Sequence, residues 1–369
     1  MSDQMNLGIV GACGRGKSFR TACEAHPLLN IHAVCDINEE KLEEGKTNLG
    51  AAEKYLDLGE MLEKSDIQVV IVATPMHFHI PMAIAALKKD LHVLSEVPAG
   101  VSVEECRELV EVCGASKGVY MMAENACYMK HNALVRELVV KGLFGETFYA
   151  EGEYLHDLKA LNEVTVWRRK WQTGTNGITY GTHSLGPILQ WMADDRVVSV
   201  CCAGSGHHYK DPRGDIYENE DSCVMLCKMA KGGLVKIRVD MISDRPHGMN
   251  CYSLQGVDGA FESSRGFGEK HKIWLRCLSE KPQWSDLAEL EKEHLPDYWR
   301  EASEAAKKAG HGGGDYFEIM DFADAITGKR PCPIGIHEAM DMTLPGLVSQ
   351  QAIAAQAWLD VPDSRDWVR

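Results

Sequence analysis

The sequence predicts an α/β protein with two domains: a doubly wound parallel sheet first, then an α/β domain whose sheet is mostly antiparallel. Three observations carry this. The chain has 369 residues, about two and a half times the ~150-residue unit of a typical domain. Up to Met122, short apolar runs alternate with helical patterns, the signature of parallel βαβ units. Beyond about residue 130, alternating strand-like stretches follow one another, some separated by glycine turns such as Lys231-Gly232-Gly233. The boundaries that follow are 1–128 and 129–369, with a C-terminal helix free to pack back on the first domain. No low-complexity linker or internal repeat separates them.

Taken in order, Leu7–Val10 reads as a strand, Gly16–Glu24 as a helix, Ile31–Cys35 as a strand and Glu39–Asn48 as a helix. Leu58–Glu63 reads as a short helix. Val69–Ala73 is wholly apolar and largely β-branched, as a strand buried on both faces requires. Ile80–Lys88 is helical, Leu91–Leu94 a strand, Val103–Ala115 a helix and Val119–Met122 a strand. His131–Val140 is a helix ending at Lys141-Gly142, a C-cap signal. The strands of the second sheet are Thr147–Leu155, Val197–Ala203, Ser222–Met229, Leu234–Met241, Asn250–Gln255 and Gly259–Glu262. Helices over Gly314–Thr327 and His337–Leu359 follow, the latter kinked or interrupted by Pro345.

Composition narrows the function classes. Apolar residues are 45% and charged residues 25%, which excludes a disordered or fibrous chain. Acids outnumber bases 54 to 39, a formal charge of −15 with no long basic run, which argues against nucleic-acid and anionic-membrane partners. The thirteen cysteines form no CxxC pair, so free thiols in a reducing compartment are expected. Neither a signal-peptide pattern nor a ~20-residue apolar span is present. The expected setting is the cytoplasm.

Directly after the first strand stands Gly11-Ala-Cys13-Gly14-Arg15-Gly16, opening a helix. Glycines there permit a tight turn and close backbone approach to a pyrophosphate, and the helix N-terminus offers N–H groups. Cys13 occupies the second glycine position of the G-x-G-x-x-G pattern, and its Cβ crowds a pyrophosphate unless the turn shifts toward Gly14. The second strand ends in Asp36, 20 residues past Gly16 and followed by Ile37 rather than arginine. A carboxylate there accepts from both ribose hydroxyls and repels a 2′-phosphate, favouring NAD over NADP. On this turn alone, FAD and S-adenosylmethionine remain alternatives.

Three later strand ends carry a family resemblance: Thr74-Pro75-Met-His-Phe-His79, Ser95-Glu96-Val97-Pro98-Ala99 and Ala123-Glu124-Asn125-Ala-Cys-Tyr128. In order and spacing they resemble the Gfo/Idh/MocA oxidoreductases, which implies an NAD(P)-binding Rossmann domain followed by an α/β domain with a large open sheet. Two departures count against an ordinary sugar dehydrogenase. Val97 stands where those enzymes usually carry a lysine, and Thr179 stands where they often carry an aspartate four residues before the histidine at 183. Glu96-Val-Pro-Ala, Met121-Met-Ala-Glu-Asn, Glu151-Gly-Glu-Tyr154-Leu-His156-Asp157-Leu-Lys159, Trp167-Arg168 and Tyr180-Gly-Thr-His183-Ser-Leu-Gly186-Pro187 look instead like the NAD-dependent glycosidases of glycoside hydrolase family 109, which include α-N-acetylgalactosaminidases. Ser184, Gly181 and the stretch 172–175 depart from that pattern, and bear on substrate identity more than on mechanism.

The resemblance implies redox-neutral hydrolysis. The sugar's C3 hydroxyl is oxidised, which acidifies the C2 hydrogen; a base removes it, the C1 substituent leaves, water adds, and C3 is reduced again. His183 is the candidate for the C3 hydroxyl, its near-neutral pKa suiting a proton taken and returned. Tyr154 is the candidate for the C2 proton, by resemblance. On a strand it shares a face with His156, and Arg168 or Lys159 is the candidate cation to activate its phenol. Tyr180 binds sugar or polarises the leaving group. Thr74, Pro75 and His79 line the adenosine side, although His79 is equally suited to cap the next helix. Glu96, Val97 and Asn125 reach the ribose or nicotinamide. Trp167 and Arg168 are further cofactor candidates, and Tyr128, Lys159, Arg168 and His311 substrate candidates. His311 in His311-Gly-Gly-Gly-Asp315 serves equally well as a solvated loop residue. Trp167 and Trp171 suit sugar stacking or core packing alike. The pairs His77/His79 and His207/His208 lack a carboxylate at set spacing, so no metal is expected. The alternatives are a dehydrogenase with net NADH formation and a non-catalytic sugar sensor. The expected partner is a small glycoside or sugar, with self-association to a dimer or tetramer through the outer face of the open sheet.

Overall fold

The computed structural model describes residues 4–193, 195–246, 248–266 and 268–367. The chain forms two compact units. The first comprises Met1–Tyr128, Ala302–Met340 and Ser364–Arg369; the second comprises Met129–Glu301 and Asp341–Asp363. The second unit is therefore not the contiguous stretch 129–369: the helix Gly314–Ile326 packs against the 125–128 turn and the helix Arg20–Glu24 of the first.

The first unit's sheet contains β1 (Met5–Val10), β2 (Leu29–Cys35), β3 (Glu53–Tyr55), β4 (Val69–Val72), β5 (His92–Ser95) and β6 (Tyr120–Met122). Their order is β3-β2-β1-β4-β5-β6, and every neighbouring pair is parallel. The order reverses beside β1, the switch point at whose carboxyl edge such sheets bind ligands. All four residues of β4 are buried, which is why a run without alternation is a strand here. Local chemistry sets the helix starts: Asn38, Asp57 and Ser102 each accept from the N–H three residues on, opening helices at Glu39, Leu58 and Val103. The helix expected over Gly16–Glu24 is tighter at its start, a 3-10 segment Arg15–Phe19 before the α-helix Arg20–Glu24.

The second unit's sheet has nine strands: β7 (Thr147–Leu155), β8 (Val197–Gly204), β9 (Ser222–Met229), β10 (Leu234–Asp240), β11 (Met249–Gly256), β12 (Gly259–Glu262), β13 (Lys272–Leu275), β14 (Ser285–Asp286) and β15 (Leu359–Asp360). Their order is β14-β13-β12-β11-β7-β10-β9-β8-β15. Neighbours are antiparallel except β7 and β10, which run parallel at the centre. Trp191 is buried edge-on to Tyr252 and Phe261, with centroids 5.6 and 5.7 Å away.

The last helix runs Ile336–Ala355 without interruption at Pro345, and Leu359 belongs to β15. A proline inside a helix forfeits one hydrogen bond. Burial of Met342, Leu344, Val348 and Ala352 around it offsets that loss. The helices with no counterpart in the sequence reading include Lys159–Val164, Trp167–Trp171 and Thr182–Trp191. The last contains both Gly186 and Pro187, residues that ordinarily end a helix. Among the described residues no helix is long and apolar enough to cross a membrane. All thirteen cysteines are free thiols.

Candidate functional site

In the first unit, the glycine turn leaves β1 at the carboxyl edge of the sheet. Gly11 has φ +87°, and an added Cβ would lie 2.3 Å from the Ala73 carbonyl oxygen. Gly16 is equally constrained, its Cβ falling 2.7 Å from Ile9 Cγ2. Gly14 differs: a Cβ there would meet only the Gly11 oxygen, at 3.9 Å. Protein packing therefore does not demand that glycine, and the open face leaves room for a ligand to come close. The N–H groups of Gly14 and Gly16 both turn back to the Gly11 carbonyl, so the face offered is the bare Cα surface rather than a row of free donors. Cys13 does not crowd it. Its N–H donates to Asp36 Oδ2 at 2.8 Å, and its thiol lies 3.9 Å from the Asn38 oxygen, beside Gly45. Burial and the neighbouring Asp36 push that thiol up to about 11, so it stays protonated.

Asp36 directly follows β2 with both oxygens engaged by backbone, Oδ2 by the Cys13 N–H and Oδ1 by the Asn38 N–H. Each oxygen retains lone-pair capacity for a ribose hydroxyl. Beyond β4, the Thr74 hydroxyl is buried without a hydrogen-bond partner, a second mark of a group awaiting a ligand. The bare Gly14 face, the Asp36 carboxylate and the Thr74 hydroxyl suit a dinucleotide. Pro75 begins the single turn Met76–Phe78. His79 is a structural pin rather than a lining residue. Its ring is buried with Nδ1 2.8 Å from the Pro98 oxygen and Nε2 2.9 Å from the Thr74 oxygen, and burial lowers its pKa. It ties the ends of β4 and β5 together.

Glu96 accepts from Arg15 Nε at 2.5 Å and from the Val97 N–H at 3.3 Å. The remaining guanidinium nitrogens of Arg15 hold Asp315 at 2.8 and 3.0 Å, and Asp315 in turn meets His311 Nδ1 at 2.8 Å. Val97, Asn125 and Tyr128 are buried. Asp315, Glu318 and Tyr252 were missed in the sequence. Asp315 and Glu318 lie far along the chain from the turn they serve, and only the adjacency of Asp315 to the glycine run hinted at it.

In the second unit, four side chains converge. The Tyr154 hydroxyl is 2.8 Å from His156 Nδ1. The Tyr154 ring lies 5.4 Å from Tyr180 and 5.6 Å from His183, and Tyr180 and His183 are 5.2 Å apart. Tyr154 and His183 are buried, Tyr180 and His156 half-buried. Strand parity puts Gly152, Tyr154 and His156 on one face. At Gly152 the helix Thr182–Trp191 comes so close that a Cβ would lie 2.3 Å from the Ser184 oxygen. This contact brings His183 down onto Tyr154.

Pro187 then explains a second support. A residue at 187 would normally donate to the carbonyl of His183, four residues back. Proline cannot, and the freed carbonyl accepts instead from the Tyr252 hydroxyl on β11, at 2.6 Å.

The expected activating cations are engaged elsewhere. Lys159 is held by Asp157 at 3.0 Å, by Asp244 at 2.7 Å and by the Ile242 oxygen. Arg168 donates to Thr165 Oγ1 and Gln172 Oε1 and lies 4.5 Å over the Trp167 ring. The phenol's neighbour is the imidazole of His156, which can accept its proton. Among the described residues no group of three His, Cys, Asp or Glu is placed to hold a metal ion.

Comparison with known proteins agrees with this anatomy. Residues 5–124 match the model of the oxidoreductase family with an NAD-binding Rossmann fold. The chain superposes on levoglucosan dehydrogenase in complex with NADH and levoglucosan with a TM-score of 0.84 at 19% identity, over 98% of this chain and 100% of that one. This is an NAD-dependent enzyme on the Gfo/Idh/MocA fold. Residues 128–367 match the glycosyl hydrolase 109 C-terminal domain, and the chain belongs to glycosyl hydrolase family 109. It is 30% identical to a glycosyl hydrolase family 109 protein of Saccharopolyspora erythraea, over 98% of this chain and 83% of that protein. It is 27% identical to an α-N-acetylgalactosaminidase of Shewanella oneidensis, over 92% and 77% respectively.

Proposed function

We propose that this enzyme hydrolyses glycosides by a redox-neutral cycle, and that the observation carrying this reading is the Tyr154–His156 hydrogen bond set among the rings of Tyr180 and His183. Gly11, Gly14, Gly16, Asp36 and Thr74 would hold NAD, with Asn125 and the ends of β4 to β6 beside it. NAD, when bound there, would supply the hydride acceptor and donor for the sugar's C3 carbon. His183 takes the proton of the C3 hydroxyl and gives it back on re-reduction. With C3 a ketone, Tyr154 removes the C2 proton, its own phenolic proton passing to His156 Nδ1; this direction requires the Nε2–H tautomer of His156. The C2 electron pair expels the C1 substituent, which leaves carrying the proton held by the His156 imidazolium, so that Tyr154 and His156 return to their starting protonation states. Water then adds across C1 and C2, its hydroxyl to C1 and its proton to C2. The sum is hydrolysis with no net oxidation. Tyr180 and Arg168, both of the second unit, hold the sugar. Val97, a buried side chain that cannot exchange a proton, is consistent with chemistry that does not end in a released ketone.

The substrate class is a small glycoside, and the α-N-acetylgalactosaminidase relative makes N-acetylgalactosaminides the first to try. The test is incubation with aryl N-acetylgalactosaminides, galactosides and glucosides in heavy water. Aglycone release with deuterium at C2 and no accumulating NADH is the expected result. Stoichiometric NADH without aglycone release would assign the enzyme to the sugar dehydrogenases instead.

A further inference from the structure

Arg15 stands inside the dinucleotide turn, where a cation invites assignment as a phosphate ligand. Its guanidinium is otherwise engaged. Three of its five donors are used, Nε on Glu96 at 2.5 Å and the two Nη atoms as a fork on Asp315 at 2.8 and 3.0 Å, and its plane lies 4.6 Å from the Phe19 ring. The Asp315 side chain is fully buried and faces His311 Nδ1 at 2.8 Å. Gly310 passes so close that a Cβ would fall 2.1 Å from Asp315 Oδ2. His311 itself has φ +54°, the left-handed region that a side-chain-bearing residue enters at a cost. Such a conformation persists only where neighbours hold it, and the neighbour here is Asp315.

We propose that Arg15 is a positioning residue: by clamping Asp315 and Glu96 it fixes the ring of His311, and it is not a ligand of the cofactor's phosphates. All four residues belong to the first unit. With Nδ1–H donated to the carboxylate, Nε2 is the ring's open nitrogen. The other charged groups around the clamp are Glu318 and Glu124. Glu318 is fully buried with neither carboxyl oxygen hydrogen-bonded, and burial, then Asp315 and Glu96, raise its pKa well above the ordinary carboxylate range. It therefore stays neutral. Asp315 keeps its charge: burial opposes ionisation, but hydrogen bonds from His311 and Arg15 outweigh it and bring its carboxyl to about 2. A planar two-pronged donor is what this arrangement uses, and a lysine ammonium lacks one. The bearing of His311 on substrate rests on the glycosidase reading; the clamp does not.

The experiment is ring 15N–1H correlation spectroscopy of His311 in the full-length protein, alongside NAD titration by protein fluorescence. The expected signature is an exchange-protected, downfield Nδ1–H. Arg15→Lys keeps the charge and the fold, checked by thermal melting, and should lose that resonance, as should Arg15→Met and the control Asp315→Asn. The NAD dissociation constant of Arg15→Lys should change by less than about tenfold. A resonance that survives in Arg15→Lys overturns the proposal, as does an NAD affinity weakened more than about tenfold in that variant. Neither measurement needs turnover, so a failed clamp leaves the glycosidase reading standing and a failed glycosidase reading leaves the clamp.

Discussion

A phenol is a poor base at neutral pH, and Tyr154 is proposed as one on the strength of its hydroxyl's contact with His156 Nδ1 at 2.8 Å. Tyr154→Phe should abolish deuterium incorporation at C2 while leaving transient NADH absorbance intact, because C3 oxidation needs only His183. His156→Gln should slow C2 exchange by roughly 10²–10⁴-fold, the usual worth of a positioned proton acceptor. Exchange at the wild-type rate in either variant would remove that residue from its role. Tyr252 is a different kind of residue, touching the backbone of His183 rather than its ring. Tyr252→Phe removes a donor from that buried carbonyl, and Pro187 has no N–H to replace it. The expected loss is about 1–3 kcal/mol in denaturant unfolding, with lowered kcat. Unchanged stability would mean that the carbonyl finds another donor.

At the scale of elements, the site depends on one helix lying flat on one strand. Thr182–Trp191 reaches β7 because position 152 lacks a Cβ. Gly152→Ala should force the helix outward and cost about 1–3 kcal/mol by overpacking. It should also separate His183 from Tyr154, so kcat falls more than stability alone explains; a variant with wild-type unfolding and wild-type turnover would contradict this account. This helix was not legible in the sequence. Gly186 and Pro187 read as breakers, and only contact with the sheet, together with the replacement hydrogen bond from Tyr252, overrides that preference. By contrast β4 was legible, since four consecutive buried aliphatic residues admit few other readings in a βαβ context.

At the scale of the whole molecule, acid stability is expected to carry the mark of a half-buried histidine pair remote in sequence from the catalytic motifs. In the second unit His131 stacks on His271 with centroids 4.4 Å apart, and its Nε2 has no hydrogen-bond partner. Burial, then His271 and Lys130, lower the His131 pKa from 6.5 to about 3. The unfolded chain therefore takes up a proton below about pH 6.5 that the folded chain refuses until about pH 3. Stability from this group is complete above that window and lost as pH falls through it, on the order of a few kcal/mol across its width. Replacing the ring by phenylalanine removes the titration, so His131→Phe should be more stable relative to wild type at pH 4.5 than at pH 7.5. Parallel pH dependence of the two proteins in urea unfolding would show that the pair does not titrate this way.

The sequence by itself determined the parallel first sheet, the glycine turn with Asp36 behind it, and the shared face of Tyr154 and His156, whereas Tyr180 and His183 joined them only through the resemblance to the glycosidase family. These features are local: periodicity, a turn residue, and strand parity are written in a few neighbouring positions. Tertiary structure alone decided what those residues do to one another. It gave Arg15 to Asp315 across 300 positions, took Lys159 for Asp157 and Asp244, buried His79 between two carbonyls, and supplied the His183 carbonyl with a donor from β11. Charged and polar groups choose partners by proximity in the folded chain, and that proximity is set by packing over distances that no sequence window contains.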